Sequence, residues 1–294
     1  MDQRGFEQHG IVMSENRISE VDHKSSQRAT STPTTDKLRP ADLIMTAADP
    51  ALVEDVALAL LKRTDLHHEV LEQLARNANA LKIRKVKMAL ISHPNTPRHV
   101  SVPLARQLYT FDLMKVALSP LMPADVKIAV DGVLISRLKT VTLGERLTLA
   151  RRASGRVAAA LLQEGESPKR KILAGKIRKS DTMQVRVIQT ALENPRLTEA
   201  LVISSVLRPN AIADVLQAVA HHPKWSSRRE IRTALLRTEH LSLARALEFA
   251  EQLPAATLNG LLASSRLPSK IKDQLLRESQ KNGVRHNRSP ERQG

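Results

Sequence analysis

The sequence predicts an all-α fold, an α-solenoid of about sixteen short antiparallel helices with disordered termini. Aromatic residues make up only 2% of the 294 residues, whereas β-sheet proteins rely on aromatic and β-branched side chains. Small residues that end apolar segments recur every 13–16 residues, so a helix with its turn takes about 15 residues and a helix pair about 30. Helices this short are marginal alone and must be stabilised by stacking on their neighbours.

The turns between the predicted helices share a pattern. A small residue and a leucine end one helix, and a polar or proline-containing turn leads to the next. Four segments have this form: residues 89–97, 160–168, 234–242 and, one residue shorter, 191–198. Proline has no amide hydrogen and excludes helical backbone for the residue before it, so Pro94 and Pro195 are predicted to end helices. Leu90, Leu192 and Leu235 occupy equivalent positions and are predicted to be buried.

The composition divides the chain into three parts. Residues 1–40 are polar and bury too little apolar surface to offset the entropy of ordering, so they are predicted to form a disordered arm. Residues 41–279 form the predicted helical-repeat domain, and residues 280–294 a disordered basic tail. Within the domain, residues 120–182 keep the period less cleanly. They are either a deviant repeat or the joint between two arrays.

The Leu/Ala-rich helices and short proline turns, as at residues 92–97 and 193–198, resemble those of the HEAT-like and armadillo-like α-solenoid superfamily. The resemblance covers roughly residues 41–279. The Asn-Pro turns are also similar to those of bacterial leucine-rich repeat variant proteins. Both resemblances imply a binding scaffold, and neither assigns a catalytic residue.

The formal net charge is +16, and most of it belongs to the predicted domain. Residues 1–40 are neutral and residues 280–294 carry +3, so residues 41–279 carry +13. Such a charge attracts nucleic acid, anionic lipid headgroups or an acidic protein. The basic residues fall in four clusters, which are either solvated helix faces or a surface for an anion or a partner. They are Arg84, Lys85 and Lys87 beside Lys82; Arg151 and Arg152 beside Arg156; Lys169, Arg170, Lys171, Lys176, Arg178 and Lys179; and Arg228, Arg229 and Arg232.

The predicted function is that of a non-catalytic scaffold that binds another protein, for which the basic surface favours an acidic one. The alternative is a nucleic-acid-binding module that uses the basic helix faces. The sequence has few aromatic side chains for base stacking and no helix-turn-helix or zinc-finger pattern. A third hypothesis, a HEAT-like DNA-repair glycosylase, requires a catalytic carboxylate and aromatic residues around a cleft.

Neither catalysis nor a bound cofactor is predicted. The chain contains no GxSxG, HExxH, GxxxxGK[ST] or GxGxxG motif, and it has no cysteine for disulfides or thiolate metal sites. The adjacent His67 and His68 are expected to diverge by about 100° on a helix, so no metal site is predicted. Without a run of ~18 apolar residues or a secretory leader, the chain is predicted to be cytoplasmic and not membrane-inserted.

Trp225 is the single tryptophan and follows a His-His-Pro-Lys turn. The residue is interpreted as a hydrophobic staple between that turn and the next helix. The functional alternative is an exposed anchor in a protein interface, where tryptophan is favoured.

Overall fold

The computed structural model describes residues 39–164 and 179–286, which form 18 α-helices and no β-strand within those ranges. The prediction of an all-α fold is therefore confirmed for this part of the chain. Residues 1–38 of the predicted arm and 287–294 of the predicted tail lie outside it. The helices are α1 Pro40–Ala48, α2 Glu54–Leu61, α3 His68–Arg76, α4 Ala78–Lys82, α5 Arg84–Ser92, α6 Arg98–Ala105, α7 Thr110–Ala117, α8 Ala124–Arg137, α9 Leu143–Arg152, α10 Gly155–Leu161, α11 Lys179–Leu192, α12 Glu199–Val206, α13 Ala213–His221, α14 Pro223–Ser226, α15 Arg229–Leu236, α16 Leu243–Ala250, α17 Ala255–Ala263 and α18 Ser269–His286.

Two of these helices are about one turn long and lie between longer ones. The first, α4, has five residues, and α14 has four, with Pro223 at its first position, where a missing amide hydrogen is tolerated. They account for the difference between the predicted sixteen helices and the observed number. At the other extreme, α18 has 18 residues and extends past residue 279, where the predicted domain ends.

The contacts between helices form two series. In one series α2, α5, α7, α9, α11 and α13 each contact the next, and in the other α6, α8, α10, α12, α15 and α17 do so. Helices of opposite series also meet in chain-adjacent pairs, such as α7 with α8 and α9 with α10. All the principal contacts join helices no more than three places apart in chain order. Each helix is therefore stabilised mainly by near neighbours along the chain.

Both series continue through the stretch 120–182, whose role the sequence leaves open. Helix α8 packs on α10 before the segment 165–178, and α9 and α10 pack on α11 and α12 beyond it. Among the described residues, helices before this segment thus contact helices after it. This arrangement favours a deviant repeat over a joint between separate arrays.

The apolar core lies between the two series of helices. Leu90, Leu192 and Leu235 have no exposed surface, which confirms that these positions are equivalent in burial. Each belongs to a helix whose remaining buried residues follow helical spacing, as Val86 and Ile91 do beside Leu90 in α5. The leucine periodicity in the sequence therefore marks the core-facing stripe.

A repeated pattern of side-chain hydrogen bonds connects the turns. A buried polar residue at the end of a helix donates to a carbonyl of an earlier turn and accepts from the backbone amide two residues later. We call these the turn-pairing residues: Asn77, His93, Asn194 and Ser265. Helix ends leave carbonyls without intrahelical partners, and buried carbonyls require a donor. The turn-pairing residues supply it.

The distance along the chain between paired turns gives the length of the repeat. Asn77, His93 and Ser265 reach back 28–30 residues. Asn194 instead reaches back 41 and 44 residues. The excess is about the length of the segment 165–178, so this segment interrupts the period and Asn194 restores it.

Trp225 replaces part of this pattern in the turn after α13. Its ring is only 1% exposed, and Nε1 donates a 2.8 Å hydrogen bond to the carbonyl of Leu192, 33 residues earlier. His222 accepts the amide hydrogen of Lys224 through Nδ1, and burial lowers the pKa of His222, which favours the neutral ring. A buried tryptophan that links two turns is not an exposed interface anchor.

Candidate partner-binding surfaces

In the first basic cluster, two cations are held in ion pairs between helices. Arg84 donates through Nε to Asp112 at 2.6 Å and through Nη2 to the other oxygen of this fully buried carboxylate. Lys85 Nζ lies 2.9 Å from Glu54 Oε1. The hydrogen bonds raise the pKa of Arg84 and of Lys85 above their usual values. These pairs join α5 to α7 and α5 to α2. Arg84 supplies the counter-charge of a buried carboxylate, whereas the pair of Lys85 with Glu54 is exposed and contributes little.

Replacing Arg84 with methionine is expected to lower the melting temperature, because it leaves the carboxylate of Asp112 buried without its cation. Adding Asp112→Asn should recover part of the loss, since the neutral amide is less costly to bury. Thermal melting followed by circular dichroism measures both effects. Lys87→Met is the control, because the Lys87 ammonium contacts only an exposed side chain, Gln107. Equal melting temperatures for Arg84→Met and Lys87→Met would contradict a structural role for Arg84.

Two exposed aromatic side chains lie beside this cluster, at the start of α7. Tyr109 is 76% exposed and Phe111 39% exposed, whereas both other aromatic residues of the described chain are buried. Arg84 is bound to Asp112, which directly follows Phe111 and lies three residues after Tyr109 in the chain. Lys87 donates to Gln107 in the preceding turn at 3.1 Å. We call Tyr109, Phe111 and the neighbouring Arg84 the aromatic surface.

The second cluster is joined by an arginine that lies outside every basic run of the sequence. Arg151 and Arg152, at the end of α9, line an open cavity of about 360 Å³ with Arg186 of α11. Leu147, with Thr148 and Thr190, completes the lining. Arg186 stands alone among apolar and polar neighbours in the sequence, so only the contact between α9 and α11 reveals it. We call this place the arginine cavity.

The backbone around the arginine cavity is fixed by the turns at its edge. Asn194 is fully buried and donates to the carbonyls of Ala150 and Ala153 at 2.7 and 3.2 Å. Arg196 donates to the carbonyl of Arg152 at 3.2 Å. Together they satisfy three carbonyls at the end of α9. The turn after α11 thereby holds the helix end that carries two of the cavity's arginines.

Gly155 allows these two turns to touch. A β-carbon at this position would lie 2.1 Å from the carbonyl oxygen of Arg196 and 3.1 Å from a methyl group of Leu201. Only glycine permits so close an approach between the backbones. The α9–α10 turn and the α11–α12 turn are therefore packed backbone against backbone.

The remaining basic residues predicted from the sequence differ in their contacts, because some are paired and others are exposed. In the fourth cluster, Arg228 lies 2.7 Å from Glu199, Arg232 donates to the carbonyl of Ser226, and Arg229 is exposed. The side chains of the third cluster are not among those that the structure describes. Lys169, Arg170, Lys171, Lys176 and Arg178 lie outside the described residues, as does the side chain of Lys179 at the start of α11.

Arg156, beside the second cluster, lies near a buried carboxyl group on α8. Asp131 is 4% exposed, and its Oδ1 has no hydrogen-bond partner in the part of the chain described here. Burial raises the pKa of Asp131, although a hydrogen bond with Ser154 and the charges of Arg156 and Lys127 oppose this. Since the folded state holds this proton more tightly, its contribution to stability declines as the pH rises from 3.8 through the raised pKa.

The histidine pair does not have the geometry expected from the sequence. His67 precedes α3 with extended backbone angles, φ −68° and ψ 147°, and the two rings lie with centroids 4.0 Å apart. The expectation that His67 and His68 diverge was wrong because it placed both on a helix. With Glu69 they bring three exposed ligand atoms within 4.8 Å of one another. The positive end of the α3 dipole opposes a cation at this point.

Searches with this chain against protein-family models, curated proteins and solved structures find no match. None of the helices in residues 39–164 and 179–286 has the length and apolar character needed to cross a membrane.

Proposed function

We propose that the chain is a non-catalytic scaffold, an α-solenoid of HEAT-like helical repeats that binds another protein. The two series of helices with near-neighbour contacts support a solenoid, because in such arrays each repeat packs only on the next. Repeat arrays present extended surfaces for binding. Exposed loops and helix starts between the repeats then supply the specific contacts.

The aromatic surface carries the proposal. Tyrosine and arginine are enriched at interfaces and are frequent hot-spot residues, at which truncation costs most of the binding free energy. Tyr109 is the most exposed large apolar side chain in the described chain, and Phe111 lies two residues away. The salt bridge to Asp112 fixes the guanidinium of Arg84 beside them. A partner would bury the aromatic rings and accept hydrogen bonds from the N–H groups of this guanidinium that do not contact Asp112.

Nucleic-acid binding is the alternative, and the ion pairs weigh against it. A duplex backbone requires a row of cations that are free to neutralise phosphates. Lys85 and Arg228 are instead paired with Glu54 and Glu199, and Arg84 is paired with a buried carboxylate. The basic clusters in the described chain thus offer fewer free cations than the sequence suggests.

Photo-crosslinking from position 109 tests the proposal in two steps. A partner captured in cells through a photoreactive residue at Tyr109 is produced in pure form, and its affinity for the full chain is measured by calorimetry. Tyr109→Ala is expected to weaken that affinity about tenfold or more, as at other interface hot spots. Leu243→Ala is the matched control, since Leu243 is also an exposed apolar residue.

Two results would overturn this function. One is equal affinity of the partner for the Tyr109→Ala and wild-type chains. The other is submicromolar binding of duplex DNA at about 150 mM salt, where the Debye length is near 8 Å. The second result would favour the nucleic-acid alternative.

A further inference from the structure

We propose that the arginine cavity is a second binding site and that it takes an acidic peptide segment of a partner protein. Its lining includes Arg151, Arg152 and Arg186 together with Thr148 and Thr190. The inference concerns a different surface from Tyr109, so either site can fail without the other.

The cavity brings together three arginines from two helices, and none of them is in an ion pair within the described ranges. All three are exposed, and no carboxylate oxygen in the described ranges lies within the 4.0 Å ion-pair distance of them. This distinguishes them from Arg84 and Arg228, whose charges are paired. Guanidinium groups bind carboxylates through two parallel hydrogen bonds. The cavity therefore favours a ligand with more than one carboxylate.

The threonines favour a peptide over a DNA backbone. Thr148 Oγ1 donates to the carbonyl of Gly144 at 2.9 Å, and Thr190 Oγ1 donates to the carbonyl of Arg186 at 2.8 Å. Because each hydroxyl hydrogen is already used, the oxygen faces a ligand as an acceptor. The sugar-phosphate backbone of DNA has only acceptors to offer, whereas a peptide has amide hydrogens. The lining thus matches a chain with both carboxylates and N–H groups.

Size and apolar character agree with this choice. A cavity of about 360 Å³ accommodates a few side chains, and its lining includes Leu147 but no aromatic ring. Base stacking, which stabilises single-stranded nucleic acids on proteins, has no platform there. An aliphatic residue between two acidic ones would contact Leu147 while its neighbours pair with the arginines.

The site is held in place before any ligand arrives. Asn194 and Arg196 fix the end of α9 through its carbonyls, and Gly155 allows the adjoining turns to touch. Rigid positioning lowers the entropy lost on binding. The spacing between the α9 arginines and Arg186 is therefore set by the turn pairing.

Fluorescence anisotropy with defined peptides tests the inference. The probe is a fluorescein-labelled peptide of ten residues in which glutamates alternate with leucine and alanine. The comparison peptide has glutamine in place of every glutamate. The full-length chain is expected to bind the first and not the second, with affinity falling as salt is added. Arg186→Gln should weaken binding about tenfold or more, because hydrogen bonds between charged groups are stronger than those between neutral groups.

Arg229→Gln is the matched control, because Arg229 is also an exposed arginine on a helix. Circular dichroism melts should show that both variants fold like the wild type. Equal loss of binding in both variants, or equal binding of the glutamine peptide, would overturn the site. Tighter binding of a 20-base-pair duplex that depends on Arg186 would assign the cavity to nucleic acid instead. Tyr109→Ala should leave the peptide affinity unchanged, which separates this test from that of the aromatic surface.

Discussion

Replacing Asn194 with alanine is expected to lower the free energy of unfolding by about 3 kcal/mol, because two buried carbonyls and one part-buried amide lose their partner. The side chain satisfies the carbonyls of Ala150 and Ala153 and the amide of Arg196, and it has no exposed surface. Water cannot replace it without opening the turns. Guanidinium denaturation of the full chain, followed by circular dichroism at 222 nm, measures the change.

Asn210→Ala is the control for this experiment, since Asn210 is exposed in the loop after α12. It should stay within about 0.5 kcal/mol of the wild type, as surface substitutions usually do. If Asn194→Ala were as mild, the paired turns would not depend on this side chain, and the interpretation of the turn-pairing residues would be wrong.

The second large effect is expected from Gly155→Ala, which should destabilise the fold by about 3 kcal/mol. The added methyl group would lie 2.1 Å from the carbonyl oxygen of Arg196. A backbone oxygen cannot rotate away as a flexible side chain can, so the two turns must separate. The same denaturation experiment detects the loss, and the arginine cavity should lose affinity for the acidic peptide as its two sides part.

Gly132→Ala makes the same chemical change where there is room. Gly132 lies within α8, and a β-carbon there would have no neighbour within 4 Å. Alanine should stabilise the helix by about 0.5–1 kcal/mol. Destabilisation by both variants would mean that loss of glycine itself, and not the contact with Arg196, is responsible.

The sequence predicts the helices and their buried faces, because both depend on spacing along one segment. Leu90, Leu192 and Leu235 follow from a helical stripe and a repeated turn, and their burial needs no knowledge of the partner helix. The histidine pair shows the limit of such reasoning. Its geometry depends on whether α3 begins at residue 67 or 68, and a change of one residue brings the two rings together.

The sequence does not predict which residues of different helices contact one another. Arg84 and Asp112 lie 28 residues apart, and nothing in a basic run indicates which cation faces a buried carboxylate. Arg186 is equally hidden, because its importance comes from the packing of α11 on α9. Charge clustering along the chain selected residues that are near each other in sequence, whereas the cavity collects residues from two helices.

The hydrogen bonds of Asn194 have a consequence for how this sequence can change during evolution. The two turns that it joins stay in register although 14 additional residues, 165–178, separate them in the chain. The contacts of Asn194 are made by residues outside this segment, so they do not require a fixed number of residues within it. This point in the chain can therefore accept insertions of new sequence while the flanking helices keep their neighbours. Evolution can add residues at this place without altering the packing of the surrounding helices.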